Sequence, residues 1–260
     1  MHCRGFSVNR DTKEEALRQE VLEKAREKAL GKAQELQAFG RLMLPEELYV
    51  QQEVKGALQE FDKTLSSAKA SLEKALQILA GELELLPSIE KEEIQKQFSR
   101  AFALFSSGDK QEELEEGKVS LQEICEIRDE VLLWIYHIGH QHFIARRYEE
   151  SLSLFFLLTL LNSFVCDYWL ALGLTQKECR QEEEALYSLT IASQLRPEDP
   201  SILLHIAELS HAMGHVEQSR QELQKAGDLL KQGGDPAQRE AFLHAQQQIE
   251  QTKKPSQQHI

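Results

Sequence analysis

The sequence predicts an all-α protein: an array of helical pairs in its second half, preceded by a helical or coiled-coil extension. Three observations carry this. First, small and large residues recur at a spacing of 34. Ile138-Gly139, Leu172-Gly173 and Ile206-Ala207 are in phase, and so are Ser151, Ala185 and Ser219. Second, apolar positions between Val54 and Leu79 alternate by four and three, the 3.5-residue period of a helical seam. Third, Thr12–Phe39 is dominated by Glu, Lys, Ala, Leu and Gln, the strong helix formers.

A 34-residue helix–turn–helix period is the tetratricopeptide signature. Two helices can approach closely only where small side chains sit at their crossing. Gly139, Gly173 and Ala207 supply these on the first helix of each pair, and Ser151, Ala185 and Ser219 on the second. Larger residues between them fill the remaining volume (Ile135, Trp169, Leu203; Phe155, Leu189, Leu223). Repeats are expected at about 132–165, 166–199 and 200–233, three being about the minimum for a stable stack.

Taken in order, residues 1–12 read as a loose tail. Thr12 with Glu15 makes a capping-box pattern at the start of a first helix with a thin stripe of Leu17, Val21, Ala25, Ala29, Ala33 and Leu36. Such a stripe buries little area and needs a partner. Leu44-Pro45 breaks the chain, and a second helix runs from Glu46 to about Ala80, its seam pairing with the first helix or with a second copy. Gly81 and Pro87 end it. Ser88 then caps a third helix, Ile89–Phe105, with Ile94, Phe98, Ala101, Phe102 and Phe105 on one face. The acidic run Asp109–Glu116 reads as a solvated loop. A fourth helix starts near Ser120 and leads into, or merges with, the first repeat. Arg196-Pro197 and Asp199-Pro200 separate the second and third repeats. Gly233-Gly234-Asp235-Pro236 is a stop and restart, with Asp235 as N-cap and Pro236 at the first helical position of a capping helix to about Gln251. The expected domains are 1–118, the extension, and 119–260, the repeats with their cap.

Composition narrows the function. A net charge of −13 argues against nucleic acid, whose phosphates need a basic surface. Cys3, Cys125, Cys166 and Cys179 show no C-x-x-C spacing, which fits reduced thiols rather than a disulfide scaffold. No run approaches 18 apolar residues and no signal-peptide core follows Arg4, so neither membrane insertion nor secretory export is expected. His137, His140 and His142 are close, and His211 and His215 are four apart, but one rigid face is not assured and no H-E-x-x-H is present. There is no phosphate loop and no nucleophile elbow. The expectation is no catalytic residue, no metal and no cofactor.

Binding is expected on the concave face, lined by the first helix of each pair. The residues one, five and eight positions after the interface residue face inward. They are Tyr136, His140 and Phe143 in the first repeat, Leu170, Leu174 and Lys177 in the second, and Leu204, Glu208 and His211 in the third. Two aromatics and two leucines suit an extended apolar segment, unless the chain's own helices or a dimer fill the groove. No Lys/Asn/Arg clamp for a terminal carboxylate lies on these faces.

From about Arg128 to Lys231 the chain resembles the class II chaperones of bacterial type III secretion. The likeness rests on Tyr136 and Phe143, then Arg147-Tyr148-Glu149-Glu150-Ser151, Leu160-Leu161-Asn162, Asp167-Tyr168-Trp169-Leu170-Ala171-Leu172-Gly173, Ala185, Ala207-Glu208, Gly214-His215-Val216-Glu217 and Leu229-Leu230. Arg146 and Arg180 stand where the family pattern has glycine, and about 125 residues precede the repeats where family members have a brief segment. The resemblance implies a bacterial cytoplasmic protein that keeps a secreted translocator or effector soluble before export, with Tyr136 and Phe143 as groove aromatics. Leu170 and Leu174 rest on geometry alone. The alternative is a repeat adaptor or scaffold that oligomerises through its N-terminal helices, with a homodimer as the simplest case.

Overall fold

The computed structural model describes residues 7–38, 46–107, 113–114 and 117–251. These contain helices and no strand. In chain order they are α1 (Ser7–Ala38), α2 (Glu46–Leu85), α3 (Ser88–Ser107), α4 (Leu121–Ile124), α5 (Asp129–Ile144), α6 (Tyr148–Leu161), α7 (Cys166–Glu178), α8 (Glu182–Leu195), α9 (Pro200–Ala212), α10 (Val216–Gln232) and α11 (Pro236–Gln251). No helix among the described residues is long and apolar enough to cross a membrane. Most of the acidic run 109–116 lies outside the described residues, as do the side chains of Phe102 and Phe105.

The chain divides into two compact units, Met1–Ala70 and Ser71–Ile260, with the boundary inside α2. In the first unit α1 lies antiparallel to α2. Glu14 pairs with Lys69 at 2.9 Å and Arg18 with Asp62 at 3.0 Å, so the residue number rises on one helix as it falls on the other. The seam therefore closes intramolecularly. Ala29 and Ala33 are buried, whereas Val54, Leu58, Phe61 and Leu65 are only half-buried and Leu17 is exposed. α1 begins at Ser7, so Thr12 lies inside the helix and does not cap it. α2 continues past Gly81 to Leu85. A lone glycine costs only about 1 kcal/mol in a helix, and no other atom crowds Gly81.

In the second unit the repeat helices fall where the 34-residue period puts them, as α5–α6, α7–α8 and α9–α10. Gly139 lets the Phe155 ring approach so closely that a Cβ there would meet it at 2.9 Å. At Gly173 a Cβ would meet Leu189 at 2.9 Å and the Ala185 carbonyl at 3.3 Å. Ala185, Ala192, Ala207, Ser151 and Ser219 are fully buried. The turn inside each pair uses the same left-handed residue 34 positions apart: Arg146 and Arg180 at φ 59°, Gly214 at φ 80°. A side chain is strained there and glycine is not. Gly214→Ala is expected to cost about 1 kcal/mol, whereas Arg146→Gly should be neutral or mildly stabilising. Urea midpoints of the two variants check this, and equal shifts of the same sign would contradict it.

Helices beyond the repeats pack on both ends of the array. At the front, Leu72, Ala75, Ile78 and Leu79 of α2, with Ile94, Phe98 and Ala101 of α3, join the core of the first repeat around Val131, Leu132, Ile135, Leu154 and Leu158. The stretch from Ser71 to α3 thus covers the apolar end that a repeat stack would otherwise expose. The first bond of α3 runs from the Lys91 N–H to the Pro87 carbonyl, so Ser88 is the first helical residue rather than the cap. The short α4 is separate from α5. Ser120 and Glu123 form a reciprocal capping box at its start. Buried Gln122 then ties it down, donating to Asp129 Oδ1 (2.6 Å) and the Ile127 carbonyl and accepting from Asn162 Nδ2 at 2.7 Å. At the back, Asp199 caps α9 through the Ser201 N–H at 2.9 Å, and Pro200 occupies its first turn. Asp235 and Gln238 cap α11 reciprocally, at 2.8 and 3.2 Å. α11 then buries Ala245 and Ile249 against the third repeat.

Candidate binding groove

α5 carries the open face. Its buried side sets Leu132, Ile135, Ile138 and Gly139 into the core. The residues between them form the outer face: Leu133 (54 % exposed), His140 and Ile144 (68 % exposed) are open, and Tyr136 and Phe143 are half-buried. Their spacing of three, four, three and one places all five on one helical face. The second unit leaves this face uncovered. Leu133 and Ile144 were absent from the residues expected from the sequence, although a period count from His140 reaches both.

The aromatics form a ledge of two groups. The Tyr136 ring sits on Phe155 (5.4 Å between centroids), beside Tyr168 of α7 (6.1 Å) and nearly parallel to His140 one turn on (6.5 Å, 11°). Phe143 leans edge-on against Tyr148 at 5.5 Å. Burial, helped by the Asp167 carboxylate, pushes the Tyr136 hydroxyl above its ordinary pKa. Tyr168 is raised by burial and by Asp129. Both phenols stay neutral, so the ledge is apolar with two hydroxyl donors. Sequence reasoning missed Tyr168, because it reaches Tyr136 only across the α5–α7 interface.

Moving along the array the face becomes polar. Leu170 and Leu174 are half-buried on α7. Lys177 then reaches across to Glu208 of α9 at 3.4 Å. His205, with Nδ1 3.9 Å from the carboxylate, and Lys177 hold Glu208 below its ordinary pKa against the opposing effect of burial. The pair neutralises itself and joins adjacent repeats. Leu204 is not part of the open face. It is 3 % exposed and packs in a core with Leu223, Ala245 and Ile249, because α11 closes over the third repeat. The open face is therefore most apolar over α5 and becomes charged at α9.

His142, one residue before Phe143, faces the other way and is buried, with no partner for its Nδ1 among the described residues. Desolvation lowers its pKa, with Arg147 and Lys74 acting in the same sense and Glu150 and Glu82 opposing. The folded state thus prefers the neutral ring. Its contribution is complete above the unfolded value of about 6.5 and is lost as pH falls from there towards the depressed folded value. Urea unfolding of the native protein should weaken from pH 7 to pH 5.5 more steeply than that of His142→Gln. Parallel curves would show that His142 is not the group.

The described cysteines are free: Cys125 and Cys166 are buried, the latter 3.4 Å from the Ala192 carbonyl, and Cys179 is half-buried. His211 stands in the last turn of α9 and His215 beyond Gly214, at the start of α10, so the two do not share one helical face.

No family model and no curated protein matches the sequence. Solved structures do. A type III secretion complex from Aeromonas hydrophila aligns with a TM-score of 0.50 and 21% identity, over 55% of this chain and 93% of the matched chain. SycD, a type III secretion translocator chaperone of Yersinia enterocolitica, aligns at 0.46 and 20% identity, over 51% of this chain and 98% of its own. PcrH in complex with the chaperone binding region of PopD aligns at 0.45 and 21%, over 48% and 92%. At such identities the likeness to the Aeromonas complex is one of fold, and it extends over about half of the chain.

Proposed function

We propose that the chain is a type III secretion chaperone that holds an extended apolar segment of a secreted translocator or effector in its concave groove, without catalysis. The observation that carries the reading is the exposed face of α5, where three apolar side chains, a neutral phenol and an imidazole stand over a fully packed core. An uncovered apolar face on an ordered helix marks a binding surface. Burying it against an aggregation-prone client stabilises the soluble complex by roughly 25 cal/mol per Å² of apolar area. The groove residues proposed are Tyr136, His140, Phe143, Leu170, Leu174 and Lys177, with Leu133, Ile144 and Tyr168 added by the geometry. The shared fold of the Aeromonas secretion complex supports the reading, and the family resemblance of Asp167–Gly173 points the same way. The protein would act in the bacterial cytoplasm, with neither nucleic acid nor membrane as partner. Co-expression with a candidate translocator is the test. The chaperone should render the client soluble and protect one short client segment from protease. A client equally soluble without it would count against the proposal.

The second reading, a repeat adaptor that oligomerises through its N-terminal helices, draws on the half-buried seam Val54, Leu58, Phe61 and Leu65. A two-helix hairpin leaves one side of such a seam wet. Light scattering on the full chain separates the two readings. A dimer that Leu58→Asp/Leu65→Asp dissociates would favour a homodimeric scaffold, and a monomer would exclude it.

A further inference from the structure

A second apolar surface lies at the other end of the array, away from the concave groove and independent of the reading above. Between α10 and α11 runs a cleft of about 660 Å³ with Leu223 and Leu230 on one wall and Phe242 and Leu243 on the other. Leu243 is 56 % exposed although it stands beside buried neighbours. Gly227 shapes the floor, since a Cβ there would meet the Phe242 ring at 3.0 Å. The cleft lies beside the last helix of the array. α7 packs between α6 and α8, and α9 between α8 and α10. α11 takes the next such place against α9 and α10, but no described helix follows it to cover its outer flank. Among the described residues only α10 and α11 line the cleft, and its surface is mostly apolar.

Charge selects the occupant. Arg220 and Arg239 stand exposed at the rim, and neither forms an ion pair among the described residues. Lys231 is already paired with Asp228 at 2.7 Å. Two free guanidiniums flanking an apolar trough, in a chain of net charge −13, favour an acidic partner through local complementarity that the overall charge opposes. We propose that the α10–α11 cleft docks an amphipathic, acid-flanked helix of a partner protein.

The test uses the full chain and two fluorescein-labelled peptides of roughly 18 residues, long enough to be helical when bound. One bears leucines at i, i+3, i+4 and i+7 with glutamates on both flanks, and the other carries lysines in place of the glutamates. Fluorescence anisotropy should show the glutamate peptide binding at least about tenfold more tightly than the lysine peptide. Arg220→Glu/Arg239→Glu should invert that preference, and Leu243→Asp should abolish both. Methyl resonances of Leu223, Leu230 and Leu243 should shift on titration. Equal affinity for the two peptides would overturn the proposal. So would indifference to the charge reversal, shifts confined to α5 and α7, or self-association of the chain that Leu243→Asp abolishes. The rim arginines are exposed, so their variants should melt like the native protein, and the methyl shifts locate the site even if Leu243→Asp is destabilised.

Discussion

Tyr136→Ala/Phe143→Ala is expected to release a bound client almost completely, with affinity falling by about two orders of magnitude or more. Each ring presents a large rigid surface, and truncating a central aromatic anchor commonly costs about 2 kcal/mol or more. Co-purification and client solubility read the effect. Tyr136 also supports Phe155 and Tyr168, so part of its loss will appear as lower stability. Leu133→Asp/Ile144→Asp removes that ambiguity. Both positions are largely exposed, so the fold should be disturbed by no more than about 0.5 kcal/mol. Binding should nonetheless fail, because two carboxylates would be desolvated beneath an apolar client. A client held normally by this second variant would show that α5 is not the binding face.

Gly173→Val should be the most damaging single change to the array. The new Cβ meets Leu189 and the Ala185 carbonyl, and backbone cannot move aside as a side-chain tip does. Overpacking of this kind typically costs about 1–3 kcal/mol, and the branched methyls add to the clash. For a unit of this size that corresponds to a Tm lower by about 2–12 °C, measured by calorimetry. Ala207→Gly, at the same place in the third repeat, should cost only about 1 kcal/mol, because Ala207 already packs a Cβ against that repeat's core. If Gly173→Val melted like the native protein, the α7–α8 crossing would be looser than described.

The two cases show how far the chain can be read directly. Gly139, Gly173 and Ala207 announced the crossings, and Ser151, Ala185 and Ser219 at the same 34-residue spacing announced the pairs, because close packing of helices leaves its mark as small residues at fixed intervals. The caps at Asp235 and Pro236 were equally plain, being local hydrogen-bond chemistry. Gly81 misled because a glycine's cost of about 1 kcal/mol is easily offset by packing further along. Leu204 misled for a different reason. Its place on α9 is the same as that of Tyr136 on α5, and only the arrival of α11, from 40 residues on, decides that it is covered.

The sequence by itself determined the repeat number, the helix pairs and the aromatic character of the first concave face, since each follows from contacts within one or two turns or one repeat. The tertiary structure alone decided which apolar residues remain uncovered. It turned the α1–α2 seam back on itself and made the stretch from Ser71 to α3 a cover for the first repeat. It buried Leu204, left Leu133 and Ile144 open, and opened the cleft beside Leu243. Exposure is a property of what packs on a residue, and that partner is set by distant parts of the chain.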